Sequence, residues 1–289
     1  MNGIILEHNI YNEQGVLLLS KGSQVELTQE MIMKLSRIGI LEELLQPKET
    51  SDKENIDSSK VSKSDTVCAN IYEKAKHTIV NFSKKYNKVD TYSFQQSHEV
   101  LNNLIYDNQD MKWYRHLFTL MNYVDWLYAH SINTAIISCI IGIKLNYSQK
   151  RLQSLALGAI LHDIGLVLLP TDILNEAIEL TDIQKTILES HCELGYTMMK
   201  DTELSDDSRK IILQHHEKND GTGYPKGLCS NDISEESRIV MVAEYFDTAT
   251  TQRPNKNACC ASSVLSKMKL ESNVYDTQIV SILCESMGE

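Results

Sequence analysis

The residues with the clearest chemical potential are His162 and Asp163, adjacent in the stretch Leu161-His162-Asp163-Ile164-Gly165. An imidazole beside a carboxylate offers two of the commonest donors to divalent metals. The pair closes an apolar run in which Leu152, Leu155, Ala156, Ala159 and Ile160 recur at helical spacing, and His162 continues the Leu155 row. Polar groups on a buried stripe need partners, because an unpaired buried charge is very costly. A single pair of this kind is more often a hydrogen-bonded core histidine than a ligand. Its meaning depends on the remaining histidines.

Those histidines repeat the pattern on other elements. His130 opens a helix whose apolar face is Ile132, Ala135, Ile136, Cys139, Ile140 and Ile143. His191 shares a face with Ile187, Leu194 and Met198 on a helix that Thr181-x-x-Gln184 would cap. His215 and His216 end a third helix after Ile211 and Ile212, and Glu244 and Asp247 sit three apart on a fourth. Five of the nine histidines therefore lie on or beside apolar helix faces. A shared metal centre satisfies all of them at once, with lone pairs on the cation and N–H groups on outer acceptors.

A donor set of imidazoles and carboxylates without clustered thiolate favours iron, manganese or zinc over a structural Cys-zinc site, and nickel also fits. Seven donors exceed what one ion needs, so two ions bridged by Asp163 are expected. Two close ions can generate a hydroxide near neutral pH and clamp the attacking and leaving oxygens of a phosphoryl group. The expected reaction class is phosphoester hydrolysis.

The elements that must position these donors are helices. The 289 residues contain only 4 Pro and 12 Gly between long periodic runs, with 42% hydrophobic and 23% charged residues, which predicts a mainly α fold with one sizeable core. Residues 1–45 read as a small α/β unit: Ile4-Ile5-Leu6 and Val16-Leu17-Leu18-Leu19 are strand-like, and Met31, Ile32, Leu35 and Ile38 mark a short helix before Gly39. Nothing in this unit looks catalytic. It reads as a packing or dimerisation appendage, the place for a second copy or a signalling-protein partner. Residues 46–66 form a charged linker, 67–115 supply helices leading into the core, and 116–289 carry the site. His77, His98 and His116 lack partners and are expected to be structural or surface residues.

The formal charge of −11 disfavours binding to a nucleic-acid polymer. Seven cysteines without CxxC spacing, no leader-like opening and no apolar run near eighteen residues lead us to expect a cytoplasmic protein with reduced thiols and no membrane span.

The motifs HSINTA from His130, LHDIG from Leu161, HCELG from His191, HHEKNDGTGYP from His215 and RIVMVAEYFDTATTQRP from Arg238 together resemble the HD-GYP family over about 116–289. This is a branch of the HD phosphohydrolase superfamily that cleaves cyclic dinucleotides. The resemblance implies a helical-bundle HD-type domain and a metal-dependent phosphodiesterase hydrolysing cyclic di-GMP, or a related cyclic dinucleotide, to the linear form and on to GMP. It places His130, His162, Asp163, His191, His215 and His216 at metal-ligand positions, with His162, Asp163 and Tyr224 at the reaction. Glu244 stands where the family has Asp. Gly223, Tyr224, Asp247, Arg253 and Lys256 match positions that face the dinucleotide, Gly221 and Gly223 letting backbone approach it closely. The cofactor implied is a pair of divalent ions, iron or manganese first.

Three departures from the family pattern bear on function. Leu166 replaces the Lys that follows HDIG, removing a charge-assisted phosphate contact of about 1.5–3 kcal/mol. This opens a second reading, a domain that binds cyclic di-GMP as a sensor or scaffold without cleaving it. Trp126 stands where some members place a Glu for a third metal, with Asp125 rotated by about 100° around the helix, so two metals are expected. Asn255 follows Arg253-Pro254 where an aromatic is common, which weakens base stacking.

Overall fold

The computed structural model describes residues 65–289 except 125, 170–172, 175–179 and 254–256, together with the backbone of four short strands nearer the N-terminus. Strand β1 (Ile4–Ile5) pairs antiparallel with β4 (Gln24–Val25), and β2 (Ile10–Tyr11) pairs antiparallel with β3 (Leu17–Leu19). The helix expected over 31–38 and most of the 46–66 linker lie outside the described residues. Helix α1 (Asp65–Lys85) begins two residues before the expected Val67.

The remaining described elements are helical: α2 (Thr91–Asp107), α3 (Tyr114–Tyr123), α4 (Leu127–Lys144), α5 (Gln149–Leu161), a 3-10 turn (Ile164–Leu168), α6 (Asp182–Glu189), α7 (His191–Met198), α8 (Asp206–Gln214), α9 (Glu235–Thr250), α10 (Ala261–Leu270) and α11 (Thr277–Met287). The starts follow side-chain capping: Ser148, Ser205 and Ser234 each accept from a backbone N–H three residues on. Thr181 and Gln184 form the full capping box expected for α6. The single helix expected to carry both Ile187 and His191 divides at Ser190, so His191 is the first residue of a new helix.

Helix α4 is the axis of the bundle, packed against α1, α2, α3, α5, α9 and α11. Ile132, Ala135, Ile136, Ile137, Cys139, Ile140 and Ile141 are all fully buried, which explains why it is apolar nearly all round. By length and hydropathy, Leu127–Lys144 and Gln149–Leu168 pass the test for a membrane span. Neither is an unbroken apolar run, since Ser138 and Gly142 interrupt the first. Both are about four-fifths buried inside the fold, so their apolar character is used by the core.

Two close backbone approaches set the geometry that matters later. A Cβ on Gly165 would overlap the carbonyl oxygen of His191 and meet Gly195 N at 2.7 Å. The turn after His162-Asp163 is thereby pressed directly onto α7. A Cβ on Gly158 would meet Ile211 Cδ1 at 2.5 Å, so α5 and α8 are equally close. Three elements bearing histidines are locked together where only hydrogen fits.

His116, on α3, is buried, and its Nδ1 has no hydrogen-bond partner among the described residues. Burial, aided by Arg115, pushes its pKa down to about 3. In the unfolded chain the same ring takes a proton near pH 6.5. The unfolded state therefore binds more protons between these values, and stability falls as pH drops below 6.5. His116→Phe is expected to flatten the slope of unfolding free energy against pH between 6 and 4 by about 1.4 kcal/mol per unit at most, measured by urea denaturation.

Candidate metal centre

Six sequence-selected donors meet at one place between the helices. His130 comes from the first turn of α4, His162 and Asp163 from the end of α5, His191 from the start of α7, and His215 and His216 from the end of α8. Two sets of donor atoms are close enough to share an ion: Asp163, His191, His215 and His216 form one, and His130, His162 and Asp163 form the other. Asp163 belongs to both.

The ring orientations follow from the outer hydrogen bonds. His162 Nδ1–H donates to Ala159 O at 2.7 Å, His191 Nδ1–H to Leu188 O, and His215 Nδ1–H to Ile212 O at 3.0 Å. Each acceptor is a carbonyl in the last turn of a helix, α5 for His162, α6 for His191 and α8 for His215. His130 Nδ1–H donates instead to Asp247 Oδ2 at 2.7 Å. All four rings therefore turn Nε2 inward. His162 and His191 Nε2 each lie 3.3 Å from Asp163, His215 Nε2 at 3.6 Å and His130 Nε2 at 3.8 Å.

The division between the two carboxylate oxygens is informative. Asp163 Oδ1 faces His191 and His215, while Oδ2 faces His130 and His162. His191 and His215 bring their Nε2 atoms to 3.1 Å, and His162 Nε2 is buried with no hydrogen-bond partner among the described residues. Lone pairs crowded against lone pairs in a buried space require cations between them. Burial opposes charge on His162 and His191, yet Asp163 holds His162 above the ordinary imidazole value. His191 is held well above it, with Cys192 and Asp163 overcoming burial. Asp163 stays well below the usual carboxylate range despite burial, because these imidazoles surround it. His215 is pushed down to about 4 by burial and accepts from its neighbour. The donor set fits a divalent metal.

Glu244 on α9 sits at the edge of this cluster, Oε2 4.0 Å from His216 Nδ1, with Oε1 accepting from Thr248 Oγ1 at 3.2 Å. The Tyr224 ring stacks on His216 with centroids 4.7 Å apart. Burial holds its hydroxyl well above the ordinary phenol value, so it stays protonated.

Two assignments change. Asp247 does not face a substrate space: it is fully buried, accepts from His130, from Asn133 Nδ2 at 2.9 Å and from Thr251 Oγ1 at 3.0 Å, and so orients His130 from behind. Lys85 donates to Thr251 at 2.7 Å and extends this support to α1. Gly223 likewise serves its own chain, since a Cβ there would overlap His216 O and Lys218 N. The loop is further braced by Glu217, which is fully buried and accepts from Lys226 N at 2.7 Å and Leu228 N at 2.8 Å. Gly221, at φ +77°, is also a turn requirement. Leu166 is buried in the core, so no cation from that turn reaches the cluster. Asp125, Asn255 and Lys256 lie outside the described residues. Cys192, whose Sγ lies 3.5 Å from His191 Nε2, was not anticipated from sequence.

A helical bundle with histidines and a bridging aspartate at helix ends has the architecture of an HD domain. The family model described as HD domain matches residues 119–279, and the chain belongs to that family, in its HD-GYP branch. It is similar to a cyclic di-GMP phosphodiesterase of Pseudomonas aeruginosa, 29% identical over 57% of this chain and 40% of that protein. It is also similar to a cyclic di-GMP phosphodiesterase response regulator of Xanthomonas campestris, 29% identical over 50% of this chain and 39% of that protein. A 3'3'-cGAMP-specific phosphodiesterase of Vibrio cholerae is 30% identical over 45% of this chain and 25% of its own length. Thus the chain spans well under half the length of these relatives. A Bdellovibrio bacteriovorus HDG"Y"P protein shares the fold with a TM-score of 0.52, at 18% identity, covering 99% of this chain and 96% of that one.

The outer support generates a prediction. Asp247→Ala frees the His130 ring and is expected to lower Mn²⁺ affinity about 10- to 100-fold while the protein stays folded, measured by calorimetric titration beside circular dichroism. Unchanged affinity would remove Asp247 from the centre.

Proposed function

We propose that this chain is a metal-dependent phosphodiesterase acting on cyclic di-GMP or a related cyclic dinucleotide. The observation that carries the reading is the convergence of four imidazole Nε2 atoms on the two oxygens of Asp163. Relatives named for cyclic di-GMP and for cyclic GMP-AMP hydrolysis support the substrate class.

In this reading His191, His215, His216 and Asp163 hold one ion, and His130, His162 and Asp163 hold a second, with Glu244 completing the shell beside His216. Iron or manganese suits these donors best. When bound, such ions supply an activated water and neutralise charge on the phosphodiester. The chain's own residues fix the donors and handle the substrate. Carbonyls at three helix ends and Asp247 lock the rings, so no reorientation is needed during reaction. Tyr224 donates its hydroxyl to a phosphate oxygen from above His216. Arg253 and Lys256 supply positive charge in place of the absent lysine at 166.

A second reading, binding without cleavage, is favoured by one observation: Leu166 is sealed into the core. A single experiment separates the two. Protein loaded with Mn²⁺ or Fe²⁺ is incubated with cyclic di-GMP, cyclic GMP-AMP and cyclic di-AMP, and linear products are quantified beside calorimetric binding. Hydrolysis is expected, abolished in His162→Ala/Asp163→Ala. Binding without product identifies a sensor, and neither binding nor product from folded, metal-loaded protein rejects both.

A further inference from the structure

Arg253 is tied to the centre in an unusual way. Its guanidinium lies over the indole of Trp126, 4.2 Å from the ring centroid, and Nη2 donates to Thr248 Oγ1 at 2.9 Å. Among the described residues no carboxylate pairs with it. Both anchors belong to the site. Trp126 lies one turn before His130, its carbonyl accepting from His130 N at 3.0 Å, and the two rings meet edge-on at 6.3 Å. Thr248 donates onward to Glu244, which lies 4.0 Å from His216.

Stacking does for this arginine what an ion pair does elsewhere, with one difference. A carboxylate partner would fix the guanidinium but also cancel its charge. An indole face fixes the plane and leaves the charge and the in-plane N–H donors free. Thr248 uses one donor, and among the described residues no other side chain takes the rest, which suits a bidentate contact with phosphate oxygens.

We infer that Trp126 is a positioning residue for substrate binding: its indole and Thr248 hold Arg253 at the rim of the histidine cluster, ready for a phosphate of the cyclic dinucleotide. The inference rests on the proposed substrate class and deepens it. Because the phosphate is common to all cyclic dinucleotides, Trp126 contributes affinity without selecting a base.

The test uses the full chain loaded with Mn²⁺, comparing wild type, Trp126→Ala, Trp126→Phe and Arg253→Ala. Binding is read by calorimetry with phosphorothioate analogues of cyclic di-GMP, cyclic GMP-AMP and cyclic di-AMP, which resist hydrolysis. KM and kcat are read with the natural compounds, and metal content by elemental analysis. Trp126→Ala is expected to weaken binding about 3- to 30-fold, by the same factor for every dinucleotide the wild type binds. KM is expected to rise in parallel with kcat changing less than twofold and metal content unchanged. Trp126→Phe restores most of the affinity, and adding Trp126→Ala to Arg253→Ala has no further effect. Wild-type binding that Trp126→Ala leaves intact, a loss confined to one base, or a loss that follows metal release overturns the inference alone. Absence of wild-type binding to all three compounds overturns the substrate reading and the inference with it.

Discussion

One carboxylate, that of Asp163, governs this structure. Four imidazoles point their Nε2 lone pairs at its two oxygens, in a space from which water is largely excluded. Without cations such an arrangement is repulsive, and burying it costs stability that apolar packing elsewhere must offset. The fold provides that packing through α4 and α5, whose apolar surfaces face neighbouring helices almost all round. The same rigidity makes the centre precise. Gly165 against α7 and Gly158 against α8 leave no room for the histidine-bearing ends to drift.

Helix termini are used twice. His162 and His215 stand at the C-terminal ends of α5 and α8, and His191 opens α7 directly after the end of α6. For α5 and α8 the free carbonyl of the helix itself accepts Nδ1–H, and for His191 the carbonyl comes from the end of α6. A local backbone need and a side-chain orientation are thus met by one hydrogen bond. His130 lies in the first turn of α4, and its Nδ1–H goes to Asp247 instead. Asn133 on α4 and Thr251 at the end of α9 hold Asp247 in turn, and Lys85 extends that support to α1.

Much of this was legible in the sequence. Helical spacing placed His130, His162, His191 and His215 at apolar faces, and only a common site could satisfy them together. Capping at Thr181 and the termination of helices at His162 and His215 were equally readable. Asp247 was not, because a residue three after Glu244 can face the cluster or stand behind it, and only the position of His130 decides. Gly223 was misread for a similar reason: a glycine's missing Cβ shows that something comes close, not whether it is a ligand or the chain's own backbone at His216. The stack of Arg253 on Trp126 joins residues 127 positions apart and left no periodic trace.

The bridging role of Asp163 is open to direct spectroscopic measurement. Electron paramagnetic resonance of the protein loaded to saturation with Mn²⁺ reports whether two ions share a ligand. The expected result is a spin-coupled signal at two Mn²⁺ per chain, lost in Asp163→Ala. A six-line spectrum of isolated Mn²⁺ at saturation, or binding that Asp163→Ala leaves unaltered, would contradict a shared carboxylate at the heart of the site.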